Sequence, residues 1–92
     1  MLFRSLASYI ADNDYPEAAL RRNEQGTVGF ELDVSPQGRV VQCRVIQSSG
    51  SPLIDAATCR VMVLRARFTP ARDADGRAAP DTVTSSIRWF LP

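Results

Sequence analysis

The residues that could perform covalent or metal chemistry are few in this chain of 92 residues. It contains two cysteines, Cys43 and Cys59, and no histidine. Without histidine it lacks the commonest general base and the commonest metal ligand. Two thiolates alone cannot complete a tetrahedral zinc site, and the spacing of this pair matches neither a zinc motif nor a Cys-x-x-Cys redox motif. We therefore expect no metal and no other cofactor.

The remaining polar residues do not assemble a catalytic group or a nucleic-acid footprint. Candidate serine nucleophiles have no imidazole partner, and the carboxylates fall mostly in predicted turns or helix caps, so we expect no enzyme. The net charge is +1 and the basic residues are dispersed, whereas nucleic-acid binding requires them clustered on one face. No stretch approaches the roughly 20 apolar residues of a membrane-spanning helix. The serines and carboxylates considered are Ser48, Ser49, Ser85, Ser86, Asp12, Asp14, Asp73, Asp75 and Asp81.

Two runs of alternating apolar and polar residues predict an antiparallel hairpin. The first run spans residues 27–34, and the second begins after the turn sequence Ser35-Pro36-Gln37-Gly38. Each run should bury one face. The apolar face of the first strand carries Val28, Phe30, Leu32 and Val34. The second strand has Val41, Cys43 and Val45 on one face and Val40 on the other.

Two helices are predicted on either side of this hairpin. Asp14-Tyr15-Pro16-Glu17 is typical of a short helix start, with Asp14 as N-cap and Glu17 in a capping box. Ser51-Pro52 similarly opens a longer helix. Its spacing predicts a buried stripe of Ile54, Ala57, Val61, Leu64 and Phe68, with Asp55, Thr58 and Arg65 on the opposite side.

A third strand is predicted at the end of the chain, after an exposed loop over residues 71–80. In residues 82–91 the apolar positions Val83, Ile87, Trp89 and Leu91 alternate with polar ones. The predicted fold class is α+β: a small three-stranded antiparallel sheet covered on one face by two helices, in the order α-β-β-α-β. Residues 14–92 would form the domain, and residues 1–13 a loosely attached lead-in.

The order and spacing of several short motifs resemble the TonB carboxy-terminal domain family. The resemblance extends over roughly residues 14–90 and implies a periplasmic domain of a TonB-like energy transducer, whose full-length form is anchored in the inner membrane. Its partners would be the TonB box peptide of an outer-membrane receptor and, through upstream regions, the inner-membrane proton-channel motor proteins. The matching motifs are Tyr15-Pro16, Ala18-Ala19, Gly26-Thr27-Val28, Gly38-Arg39-Val40, Ser48-Ser49-Gly50, Ile54-Asp55-Ala56-Ala57, Phe68-Thr69-Pro70-Ala71, Asp75-Gly76, Ile87 and Trp89.

The resemblance also implies where a peptide would bind. An extended peptide would add to the free edge of the final strand, where backbone groups supply affinity. The same edge could instead pair with a second copy, giving a homodimer or an envelope self-association module. The implied edge residues are Thr82, Val83, Thr84, Ser85, Ser86, Ile87 and Arg88, and the implied further receptor contacts are Tyr15, Pro16, Arg21 and Arg22.

Two points stay open in the sequence. Leu20 occupies a position where the family has a polar glutamine, so core packing is favoured over receptor contact. A periplasmic location permits a disulfide between Cys43 and Cys59, which would tie the second strand to the second helix. Two buried free thiols and a reactive thiol are the alternatives.

Overall fold

The computed structural model describes residues 6–92 and confirms the α+β fold. The five-residue helix α1 (Glu17–Arg21) precedes a hairpin of β1 (Gly26–Val34) and β2 (Val40–Gln47). The long helix α2 (Pro52–Arg65) follows, then two short strands, β3 (Ala71–Arg72) and β4 (Ala78–Ala79), and the last strand β5 (Asp81–Trp89). Two 3₁₀ turns, Leu6–Tyr9 and Asp12–Asp14, come before α1.

The main sheet has the strand order β2-β1-β5, and all its pairings are antiparallel. Because β1 is central, β2 and β5 form the two edges of the sheet. The alternation predicted for β1 is confirmed, since Val28, Phe30, Leu32 and Val34 are all buried. Helix α2 packs mainly over β2 and β1, on the face to which these side chains point.

The prediction that Val41 shares the buried face of β2 is wrong. Val40 is buried and Val41 is 65% exposed. The cause is an irregularity in the ladder, in which Asp33 pairs with Gln42 but Val34 pairs with Val40. Val41 is therefore an extra residue, a β-bulge, and the alternation changes phase at this point. Cys43 keeps its predicted side, opposite Leu32.

The buried stripe of α2 also differs from the prediction. Thr58 and Met62 are fully buried together with Ile54, Ala57 and Val61, whereas Leu64 is 62% exposed. Phe68 lies beyond the end of the helix and only partly packs against the core. The observed stripe instead continues towards Arg65, whose guanidinium reaches the carboxylate of Asp14. The predicted start is confirmed, because Ser51 Oγ accepts a hydrogen bond from Ile54 N at 3.3 Å.

The prediction that Asp14 is the N-cap of α1 is wrong. Pro16 occupies that position and makes no side-chain capping bond. The carboxylate of Asp14 instead accepts hydrogen bonds from Ala11 N at 2.7 Å and from Arg65 Nη2 at 2.8 Å. Arg65 of α2 and the backbone N–H of Ala11 thus occupy the carboxylate oxygens with which Asp14 would have capped α1.

The predicted loop over residues 71–80 is exposed but folded into a small hairpin. Ala71 pairs with Ala79 and Arg72 with Ala78. At its tip, Asp73 Oδ1 accepts hydrogen bonds from Asp75 N and Arg77 N, both at 2.9 Å. Because these bonds are local, the hairpin is stabilised mainly by its own residues.

The disulfide between Cys43 and Cys59 is present, with Cα atoms 5.5 Å apart. It joins β2 to α2 at the edge of the core, where both cysteines are partly buried. This confirms the disulfide among the three states that the sequence left open.

Candidate functional site

The free edge of β5 is long and regular. β5 pairs with β1 through nine successive residues, from Gly26 with Trp89 to Val34 with Asp81, without a register shift. In the part of the chain that the structure describes, no strand pairs with its other side. In a strand of this kind, alternate residues direct their N–H and C=O groups away from the partner strand. β5 therefore presents a row of open backbone groups, although the N–H of Thr82 is already used, since it donates to Asp81 Oδ1 at 2.8 Å.

The opposite edge of the sheet is less suited to pairing. β2 contains two bulges, which leave Val41 and Ile46 as extra residues in the ladder with β1. The disulfide of Cys43 holds the same strand against α2. Bulges twist a strand and interrupt its row of open groups, which discourages pairing with another chain. Of the two edges, only that of β5 is regular over its whole length.

The seven predicted edge residues all lie in β5, and their side chains alternate between two environments. Val83 and Ser85 are partly buried and Ile87 is buried, all on the side of the sheet that faces the helices. The other face carries exposed polar side chains. These are Thr82, Thr84, Ser86 and Arg88.

Trp89 fixes the carboxyl end of β5 to the core. Its indole Nε1 donates a hydrogen bond to Thr58 Oγ1 at 2.9 Å, and this hydroxyl in turn donates to Ile54 O at 2.8 Å. The Trp89 ring also packs edge-to-face against Tyr15, with centroids 5.4 Å apart. Since buried polar atoms are costly to leave unpaired, this chain of bonds gives β5 one position relative to α2.

The predicted receptor-contact residues around α1 occupy different environments. Tyr15 is 7% exposed, and its hydroxyl donates a hydrogen bond to Glu24 O. Burial raises the pKa of Tyr15, so the phenol stays protonated at neutral pH. Pro16 is partly exposed, while Arg21 and Arg22 are exposed.

Leu20 is partly buried and packs against the core, as the sequence favoured. Its neighbour Arg21 lies 3.7 Å from Glu17 in an exposed i,i+4 pair, which is a weak interaction in water. The guanidinium groups of Arg21 and Arg22 thus remain accessible to an acidic surface.

A groove that the sequence did not predict lies beside the carboxyl end of β5. Ala7, Ile10 and Asp12 line one side, and Ile87 and Phe90 belong to the other. The segment before α1 forms the first wall, since Leu6, Tyr9 and Ile10 all pack against the core. The apolar spacing of Leu6 and Ile10 was the only signal in the sequence for these contacts, and it does not specify which surface they cover.

An ion pair anchors this upstream segment to α2. Asp14 is largely buried, and its hydrogen bonds with the Arg65 guanidinium hold the pKa of the carboxyl below its usual value. The same guanidinium donates to Tyr9 O at 3.1 Å. Arg65 therefore connects both 3₁₀ turns to the end of α2.

A second charged cluster occupies the outer face of the sheet. The Arg44 guanidinium lies between Glu31 and Asp33 and bonds the latter at 2.8 and 2.9 Å. These hydrogen bonds lower the pKa of Asp33. The cluster joins β1 to β2 and is one strand removed from the free edge. Among residues 6–92, no group of three or more His, Cys, Asp or Glu side chains could hold a metal ion.

A three-stranded antiparallel sheet with two helices on one face matches the fold of TonB carboxy-terminal domains. The family model for the Gram-negative bacterial TonB protein C-terminal matches residues 11–91, and the chain belongs to this family. The family consists of periplasmic, non-enzymatic domains of transport-energy transducers, which generally interact with outer-membrane receptors. Within residues 6–92, no helix is sufficiently long and apolar to cross a bilayer.

Solved structures show the same fold. The chain is similar to the TonB carboxy-terminal domain of Pseudomonas aeruginosa, solved by NMR, with a TM-score of 0.67 and 25% identity over 84% of this chain and 76% of that one. It is also similar to the domain from Helicobacter pylori, with a TM-score of 0.66 and 19% identity over 94% of this chain and 85% of that one. No curated protein gave a significant match.

Proposed function

We propose that this domain recognises the TonB box of an outer-membrane receptor by pairing it with the free edge of β5, over Thr82–Arg88. The observation that carries the proposal is the contrast between the two sheet edges. β5 is continuous in register and free of proline over Asp81–Trp89, whereas β2 is bulged twice and tied to α2. Strand addition needs a row of open backbone groups, and β5 supplies one beyond Thr82, whose N–H donates to Asp81 Oδ1.

The receptor surface around the TonB box would meet a second region of the domain. Arg21 and Arg22 are exposed near the start of β1 and suit an acidic surface. Tyr15 and Pro16 would then position the helix that carries them, because Tyr15 is held by the ring of Trp89. The full-length transducer would be anchored in the inner membrane and draw on the proton-channel motor there, so that force applied upstream reaches the receptor through this domain.

A titration with methylated peptides tests backbone pairing directly. A peptide containing the receptor's TonB box is titrated into the domain by calorimetry, together with copies N-methylated at one residue each. Because only alternate residues of a strand direct their N–H groups to one neighbour, methylation should weaken binding by about tenfold at every second position. An even loss at all positions, or none, would contradict strand addition.

Paired proline substitutions provide the matching test on the domain. Ser85 and Ser86 direct their N–H groups to opposite sides of β5, so one substitution removes a bond to β1 and the other an open N–H. Ser85→Pro and Ser86→Pro are compared. We expect the substitution that removes the bond to β1 to lower stability. The substitution that removes the open N–H should keep the fold and lose peptide affinity. Sedimentation at several concentrations distinguishes the alternative use of this edge. A stable dimer that the peptide cannot dissociate would favour self-association.

A further inference from the structure

We propose that the groove beside β5 is a subsite for one apolar side chain of the bound peptide, and that Ile10 determines its specificity. We call it the edge groove, formed by Ala7, Ile10 and Asp12 on one wall and Ile87 and Phe90 on the other. This inference rests on the proposed pairing of a peptide with β5. It adds a residue from outside the sheet and the two α-helices to the recognition site.

The position of the edge groove connects it with the free edge. Its walls come from the segment before α1, including Tyr15, and from residues 87–92, and no residue of β1 lines it. Since β1 covers one side of β5, a groove formed without β1 lies towards the side that is open. A strand added at that side would pass along the groove.

Strand geometry determines which peptide side chains would enter. Successive side chains of an added strand point to opposite faces of the sheet, and those on the helix-facing side lie beside Ile87 and Trp89. Directly opposed residues in such a pair have Cβ atoms roughly 5 Å apart, close enough for packing. One or two alternate residues of the peptide would therefore face the edge groove, and their neighbours would face solvent near Arg88.

The lining of the groove favours an apolar occupant. Ile10, Ala11 and Leu91 present apolar surface, and Phe90 is 62% exposed at its rim. The Arg88 guanidinium lies 4.8 Å from the centre of the Phe90 ring, a cation–π contact. The groove measures about 290 Å³ and is open to solvent. That is close to the lower limit of small-molecule sites, about 300 Å³, so the groove has room for one or two apolar side chains of a peptide.

The wall that carries Ile10 is held in place before any peptide arrives. Asp14 accepts hydrogen bonds from Ala11 N and from Arg65, and Arg65 also holds the carbonyl of Tyr9. These bonds anchor the chain on both sides of Ile10. A wall fixed in advance costs no ordering entropy upon binding, which makes it effective for selecting side chains.

A double-mutant cycle tests the subsite. Affinity is measured by calorimetry for the TonB-box peptide and for copies with alanine at each residue in turn, against the wild-type domain and Ile10→Ala. At one inward-facing position, alanine should weaken binding to the wild type by roughly tenfold and to Ile10→Ala by only about twofold. Ile10→Leu should restore the discrimination. Leu64→Ala, which removes an exposed apolar side chain from α2, is the matched control and should leave it unchanged.

The outcomes separate this inference from the proposed function. If N-methylation gives its alternating pattern but no peptide position couples to Ile10, the subsite is refuted and pairing with β5 stands. If the peptide does not bind at all, both fail. Two other occupants would also overturn it: a second copy, shown by a dimer that Ile10→Ala abolishes, or residues 1–5 of this chain, shown by NMR contacts with the Ile10 side chain in the free domain.

Discussion

Removing the disulfide gives the sharpest test of what stabilises this small domain. Cys43 and Cys59 are 16 residues apart in sequence and join β2 to α2. In the chain-entropy model, opening a loop of this length restores disorder to the unfolded chain worth about 3 kcal/mol at 25 °C. Small domains have a total stability of about 5–15 kcal/mol, so this is a large share. For a domain of this size the loss corresponds to a melting temperature lower by about 12–24 °C.

The assay is equilibrium unfolding in urea, monitored by the fluorescence of Trp89. The double variant Cys43→Ala/Cys59→Ala and the reduced wild-type domain should agree apart from the packing that the variant loses, because both lack the cross-link. The single variants with reductant control for lost packing. A destabilisation below about 1 kcal/mol would refute the reasoning, since it would show that the unfolded chain gains little freedom when the loop is opened.

Three further predictions address single side chains. Thr58→Val should lower the free energy of unfolding by about 1–3 kcal/mol, because it leaves the indole N–H of Trp89 buried without an acceptor; urea unfolding measures the loss, and the near-ultraviolet circular dichroism of Trp89 should change with it. The pKa of Asp14 is lowered in the folded domain, so its contribution to stability is present above about pH 4 and is lost as the pH falls through the pKa of the folded state. Melting curves from pH 7 to 2 should show this loss of stability in the wild type and a smaller loss in Asp14→Asn. Gly38→Ala should destabilise the domain more than Gly76→Ala: both glycines have positive φ, 83° and 79°, but a Cβ at residue 38 would lie 2.1 Å from a backbone oxygen, whereas residue 76 has open space; equal melting temperatures would contradict this steric reason.

The sequence predicted the elements of the fold better than their contacts. The alternation in β1 and the start of α2 at Ser51 were confirmed because each is determined by local periodicity or local hydrogen bonding. The errors have a common origin. Val41 turns outward because a bulge shifts the ladder, and Asp14 leaves its capping position because Arg65, far along the chain, binds its carboxylate. Neither the bulge at Val41 nor the contact of Asp14 with Arg65 can be identified from neighbouring residues.

The candidate site was likewise predictable in its strand but not in its distant contacts. Its strand was predictable, because residues 82–88 alternate and contain no proline, and the structure places them all in β5. The wall of the edge groove was not predictable, since Ile10 comes from a segment without regular secondary structure of its own beyond two 3₁₀ turns. Its position depends on the Asp14–Arg65 contact, which brings together residues 51 positions apart.

The asymmetry of the two sheet edges links stability to the proposed binding. Both bulges and one cysteine of the disulfide lie in β2, and β1 separates this strand from β5. Loss of the disulfide should therefore loosen the β2 edge while leaving the nine paired residues of β1 and β5 in register. At a temperature where Cys43→Ala/Cys59→Ala is still folded, its affinity for the peptide should stay within about twofold of wild type, because β1 separates the cross-linked strand β2 from β5. A much weaker complex would mean that β2 participates in binding, and the peptide would then have to be placed elsewhere than at β5 alone.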